Sequence, residues 1–238
     1  MDSDRDNKGL TTWRVFYSAL VLAILFAMAV PCLVSASEAP SQEIIDAATS
    51  GMRAFLTPDR IASLGVLGFH SKEDFNNAAL GDALEIFTIP PDRLLPRNRG
   101  LCQPIYQEIE SLVTSTNRWV FSISVYGKVT NAMVDVVLTD GKPMIEFGSS
   151  SFPQLMHDLL AAWPRDSGYR IRYIRIYAAN ISMVEVSRSG NLVGIVWPSG
   201  DLKKVLTPSQ VLPSLCGTLK RNMEEDERAR DKGEVLLR

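Results

Sequence analysis

The first apolar pattern in the chain is a block rather than a periodicity. From Val15 to Val30 no residue is charged, Lys8 and Arg14 flank the block, Pro31 ends it, and Val34-Ser35-Ala36 follows. A basic flank, an apolar core and a helix breaker ahead of a V-x-A site describe a secretory signal peptide cut after Ala36. Counted from Val15 through Ala36, the uncharged stretch is about 22 residues, enough to cross a hydrocarbon layer of roughly 30 Å, so an uncleaved anchor is the alternative. Pro31 ahead of Cys32 argues against a lipid-modified cysteine. On either reading, Ser37 onward is expected outside the cytoplasm: periplasmic or secreted, or tethered as a single-pass protein.

Beyond the leader the pattern becomes periodic. Ile44, Ala47, Ala48, Met52 and Phe55 recur at helical spacing between Ser41, a natural cap, and Thr57-Pro58. Ser71 and Asp74 have the form of a capping box for a short helix stopping near Gly81, and the β-rich run Ala83 to Ile89 predicts a strand. After the proline- and arginine-rich loop PPDRLLPRNRG come alternating segments at about 118–126, 129–139 and 143–148. Turn signals at Tyr126-Gly127-Lys128 and Asp140-Gly141-Lys142 separate them. SFPQLMHDLLAAW returns to helical period. YRIRYIRIYAA, SMVEVSRSG and NLVGIVWPSG predict further strands, with Ser189-Gly190-Asn191 as the tight turn between the last two. A helix capped at Thr207, with Pro208 in its first turn, closes the body, and EEDERARDKGEVLLR is expected to fray into solvent.

Hairpins need no crossover, so the expected class is α+β. The reading is a largely antiparallel, curved sheet of hairpins packed with N-terminal, central and C-terminal helices. The expected organisation is a signal peptide or anchor over 1–36, a single extracytoplasmic domain over 37–222 and a charged tail over 223–238. Two blocks of strands around a central helix leave an internal duplication open.

Composition narrows the function more than it names it. The 238 residues carry a formal charge of −2 and are 46% hydrophobic. Proteins that neutralise many phosphates show a clear basic excess, so nucleic acid is not an expected partner. The cysteines are Cys32, Cys102 and Cys216. With the leader removed, two remain in an oxidising compartment, which makes Cys102 to Cys216 a candidate disulfide and a pair of buried free thiols its alternative.

No chemistry is flagged by spacing. His70 and His157 are the only histidines; His70 precedes a helix cap, and His157 reads as a residue at the edge of the core. There is no H-E-x-x-H and no pair of C-x-x-C units, so neither a metal nor a cofactor is expected. GSSSF lacks the second glycine of a nucleophile elbow. Glu108/Glu110 and Glu73/Asp74 are carboxylate pairs without a distinguishing context. The unusual segment is YRIRYIRIYAA, where strand alternation sets Tyr169, Tyr173, Arg175 and Tyr177 on one face and Arg170 and Arg172 on the other. A ligand-facing sheet in which tyrosines and Arg175 recognise an anionic or planar group is the functional reading. A half-buried strand with wet hydroxyls and snorkelling arginines is the structural one.

The segment Gly68 to Ile89, with its Gly-Phe, short helix, Leu-Gly and strand, resembles a pattern in uncharacterised secreted bacterial proteins. The resemblance spans about the first half of the mature chain. It implies a bacterial source, an exported location and a structural role for Phe69, Phe75, Leu80 and Gly81, and it carries no activity. In a eukaryotic source Asn180-Ile181-Ser182 would be a glycosylation candidate. The function expected from all of this is non-enzymatic: an extracytoplasmic binding or accessory domain for a protein, peptide or envelope component, acting at the membrane if the leader stays. The alternative is a cell-envelope hydrolase using carboxylates the sequence does not single out.

Overall fold

A computed structural model describes residues 39–57, 59, 64–90, 93 and 109–231. The leader, most of residues 58–63, most of the proline- and arginine-rich loop with Cys102, Glu108, and the last seven residues lie outside the described residues. So do Cys32 and the side chain of Glu110.

Helix α1, Gln42–Phe55, begins as its cap residue requires: Ser41 Oγ accepts the Ile44 N–H at 3.4 Å. Ile44, Ala48 and Met52 form the buried stripe at i, i+4 and i+8. Helix α2, Lys72–Asn76, carries the full capping box, with Asp74 N–H donating to Ser71 Oγ at 3.2 Å and Asp74 Oδ2 accepting Ser71 N–H at 2.9 Å. It stops at Asn76, short of the expected Gly81, because strand β1, Ala78–Thr88, has already begun. The Leu-Gly pair that reads as a helix end is instead a strand irregularity, with the register shifting between Leu80 and Ala83. A side chain at Gly81 would press on Ser122 Oγ, so glycine is what lets the two strands approach there.

Helix α3, Ile109–Leu112, leads into a meander of β2, Thr114–Val125, β3, Lys128–Thr139, and β4, Lys142–Ser149. Helix α4, Phe152–Ala162, is followed by β5, Tyr169–Ile176, β6, Ile181–Arg188, and β7, Asn191–Val196. The β2–β3, β3–β4 and β6–β7 hairpins each close with two residues at positive φ: Tyr126 and Gly127, Asp140 and Gly141, Ser189 and Gly190. That is the turn whose twist matches the flanking strands. Lys128, Lys142 and Asn191 are therefore already paired strand residues rather than turn residues.

The seven strands form one sheet in the order β4-β3-β2-β1-β5-β6-β7. Every neighbouring pair is antiparallel except β1 and β5, which run parallel with Ile86 beside Tyr173 and Phe87 beside Ile174. The class is α+β, with a mixed and mostly antiparallel sheet. The parallel pair follows from the path of the chain: after β4 at one edge, α4 returns it to the open side of β1, where β5 begins.

Alternation along β2 divides the core. Trp119, Phe121 and Ile123 pack with Ile44, Ala48 and Met52 of α1 and with Phe69. Val120 joins Leu84, Ile86, Tyr173 and Val184 in a second cluster with Met156 and Leu159 of α4. The last helix, α5, Pro208–Asp231, starts after Thr207 as expected, where Thr207 N–H donates to Gln210 Oε1 at 2.8 Å. It does not fray after Met223. Glu224 lies 3.8 Å from Lys220 and 3.6 Å from Arg228, and Ala229 is buried, so the acidic and basic run continues the helix to Asp231. Among the described residues no helix is long and apolar enough to cross a membrane.

Candidate functional site

The strand singled out by its tyrosines divides its side chains between packing and a depression. Tyr169 is taken up in packing: its ring meets Trp163 edge-on at 5.2 Å and lies under the Arg188 guanidinium at 4.9 Å. Tyr173 is buried, its ring against Phe152 at 4.7 Å. Tyr177 is not on the strand at all. β5 ends at Ile176, and Tyr177 opens a 3-10 turn, Tyr177–Ala179, closed by Asn180 at φ 50° and by Asn180 N–H donating to Tyr177 O at 3.1 Å. Strand alternation therefore does not place it, yet its half-exposed ring folds back to Arg175, whose guanidinium carbon stands 5.3 Å from the ring centre.

Tyr173, Arg175 and Tyr177 meet around a cavity of about 60 Å³ beside the parallel β1–β5 junction; Tyr169 is not part of it. Ile86, Val120 and Phe152 supply the apolar lining, and Arg118 adds a second guanidinium. Arg118 escapes a linear reading because it comes from β2, two places away in the sheet order, and only the pairing of β1 with both β2 and β5 brings it near.

Arg118 is held rigidly. Its Nε lies 2.9 and 2.8 Å from the two Asp135 oxygens, and its terminal nitrogen also bonds Oδ2. The Asp135 side chain is 3% exposed and that of Arg118 is 32% exposed, so the carboxylate is the buried partner. Burial pushes the Asp135 carboxyl above its ordinary range, against the pull of the Arg118 hydrogen bonds and charge. Bonding to Asp135 raises Arg118 further. That pair is internally neutral. Arg175 is different: among the described residues it has no ion-pair partner, and it sits exposed at the rim. A space this size holds roughly two waters, or one carboxylate. The arrangement can accept a small anionic group, with Arg118 pre-positioned and Arg175 supplying unmatched charge.

Elsewhere the polar groups serve structure. A wider depression of about 310 Å³ is bordered by His70, Asp74, Tyr126 and Lys128, but Asp74 Oδ2 is committed to the backbone N–H groups of His70, at 2.6 Å, and Ser71. Those bonds hold the Asp74 carboxyl below its ordinary range. His157 is not at the edge of the core: its side chain is 54% exposed, with Nδ1 3.3 Å from Asp82 Oδ2, while Asp158 accepts from Gln154 at 2.8 Å. The serines of GSSSF start α4, Ser150 Oγ accepting the Phe152 N–H at 3.0 Å. Burial raises Glu85, which also accepts a hydrogen bond from Ser115. Among the described residues no three His, Cys, Asp or Glu side chains gather as a metal would need.

Cys216, on α5 and 8% exposed, is disulfide-bonded. Both other cysteines lie outside the described residues. Cys216→Ser is expected to lower unfolding stability by about 2–4 kcal/mol, read by urea denaturation of the non-reduced protein. If Cys102 is the partner, Cys102→Ser costs the same amount and the double substitution adds nothing further.

Comparisons with known proteins leave the chain without a relative to reason from: no family model, no curated protein and no solved structure matches it.

Proposed function

We propose that the chain is an exported, non-enzymatic binding domain, and that the depression between Arg118, Arg175 and Tyr177 receives a carboxylate of a protein, peptide or envelope component. One observation carries the reading: two guanidiniums and a tyrosine converge on an apolar-floored cavity of about 60 Å³, and the exposed one has no carboxylate partner among the described residues. A fixed bidentate arginine beside an exposed one, unpaired among the described residues, suits recognition of a planar anion more than it suits bond cleavage. The leader and the disulfide at Cys216 support a place outside the cytoplasm, where such bonds persist. Whether the domain is released or stays tethered follows from the fate of Ala36. The sheet is read as a curved platform with its helices on both faces, and the depression as its recognition point.

The test is a titration of isotope-labelled protein with a short peptide ending in a free carboxylate, set against the same peptide as its C-terminal amide. The free acid should shift the backbone resonances of residues 118 and 175–177, and the amide should not. Arg175→Ala should weaken the acid about tenfold or more, the order expected for a charge-assisted hydrogen bond, while leaving the fold intact because the side chain is exposed. Equal binding of acid and amide, or hydrolysis of an envelope fragment by the purified protein, overturns the reading.

A further inference from the structure

We propose that β4 is a self-pairing edge, and that two copies of this chain join their sheets there, antiparallel and centred on Met144. The inference is independent of the anion depression and draws on a different part of the molecule.

β4 ends the sheet at one side, and Lys142 through Glu146 are all exposed. Met144 is 51% exposed and Ile145 42%, an adjacent apolar pair on a strand whose outer side has no sheet neighbour among the described residues. An unpaired edge of this kind normally carries its own protection or acquires a partner. The backbone directions can be read from the turn. In a two-residue hairpin the closing pair, here Thr139 and Lys142, exchanges hydrogen bonds, and the pairs alternate from there. Val137–Met144 and Asp135–Glu146 are bonded pairs, so the polar groups of Pro143, Ile145 and Phe147 point away from β3. Pro143 is thus tolerated where it is, since its missing N–H faces outward. What remains on the outer side is the Ile145 and Phe147 N–H groups and the Pro143, Ile145 and Phe147 carbonyls.

Charge then selects among the two-fold registers. Pairing centred on Glu146 would oppose two carboxylates. Pairing centred on Ile145 would set Glu146 against the partner's Met144. Pairing centred on Met144 places Lys142 opposite the partner's Glu146, Met144 opposite the partner's Met144, and Ile145 opposite the partner's Pro143. Ile145 N–H then donates to the partner's Pro143 carbonyl, and reciprocally. Opposite charges flank a buried apolar centre, and like charges directly opposite are avoided. This is an isologous contact, closed by its own symmetry.

The register makes the test specific. Sedimentation velocity on the full chain, after export and purification, should show twice the chain mass at micromolar concentration. Lys142→Glu and Glu146→Lys, each on an exposed side chain, should each weaken self-association about tenfold or more. The double exchange K142E/E146K should restore it, because the charges swap sides and still pair; circular dichroism on every variant checks that the fold is intact. A monomer at all concentrations overturns the proposal. So does a dimer indifferent to the single exchanges, or one the double exchange fails to rescue, and so does an unrelated extended segment found paired on β4.

Discussion

Arg118→Ala is expected to cost about 3–5 kcal/mol of folding stability at pH 7, the order measured when one partner of a buried ion pair is removed. The buried member is Asp135, whose side chain is 3% exposed, whereas Arg118 keeps contact with water. Removing the guanidinium therefore leaves a carboxylate inside the sheet face with neither charge nor hydrogen bonds to match it. The sign of the pH dependence follows. Burial already holds Asp135 above its ordinary range, and Arg118 is what pulls it back. Without Arg118 the folded-state pKa climbs further above the unfolded value of about 3.9. A carboxyl with a raised folded-state pKa contributes most below its unfolded pKa, and that contribution is lost as pH rises through the folded pKa. The gap between the variant and the parent should therefore be widest at neutral pH and shrink toward pH 4. Urea unfolding at a series of pH values reads this directly, and a gap that stays constant would show that Asp135 is not the source of the loss. Replacing both members by Arg118→Met and Asp135→Leu should recover most of the stability, since a neutral apolar pair has nothing left to desolvate.

The parts of the fold legible in the sequence are those fixed by neighbours along the chain. Ser41, Ser71 with Asp74, and Thr207 each sit where a helix begins, because capping is decided within four residues. Tyr126-Gly127 and Asp140-Gly141 close hairpins because only a few residues accept positive φ in succession. What escaped depends on distance. β1 begins at Ala78 rather than Ala83 because the irregularity at Gly81 breaks the alternation that marks a strand. The parallel β1–β5 pair is invisible from local pattern, since hairpins alone give only antiparallel neighbours. α5 extends to Asp231 on charge pairs four apart, which leave no continuous apolar stripe to read. The site divides the same way. Tyr173 and Arg175 were legible as one strand face, Tyr177 joined them through a turn instead, and Arg118 needed the sheet order.

The second large effect lies at Gly68-Phe69, where the chain enters the core beside α1. Phe69 is fully buried among Leu64, Leu67 and the residues of α1 and β2, with the Phe75 ring 5.5 Å away. It arrives there because Gly68, at φ +97°, turns the chain in a conformation other residues rarely adopt. Phe69 N–H then donates to Leu64 O at 3.3 Å. Phe69→Ala should lose about 3–5 kcal/mol, the transfer term plus the cavity left behind. That is on the order of 10 °C in thermal midpoint for a domain of this size. Phe69→Leu, which keeps most of the volume, should lose under about 1.5 kcal/mol. Val66, three residues earlier and 81% exposed, is the internal control: Val66→Ala should stay within about 0.5 kcal/mol of the parent. Thermal and urea unfolding of the three variants rank these costs. A Phe69→Ala midpoint within a degree or two of the parent would mean that Phe69 does not anchor the α1 face of the sheet.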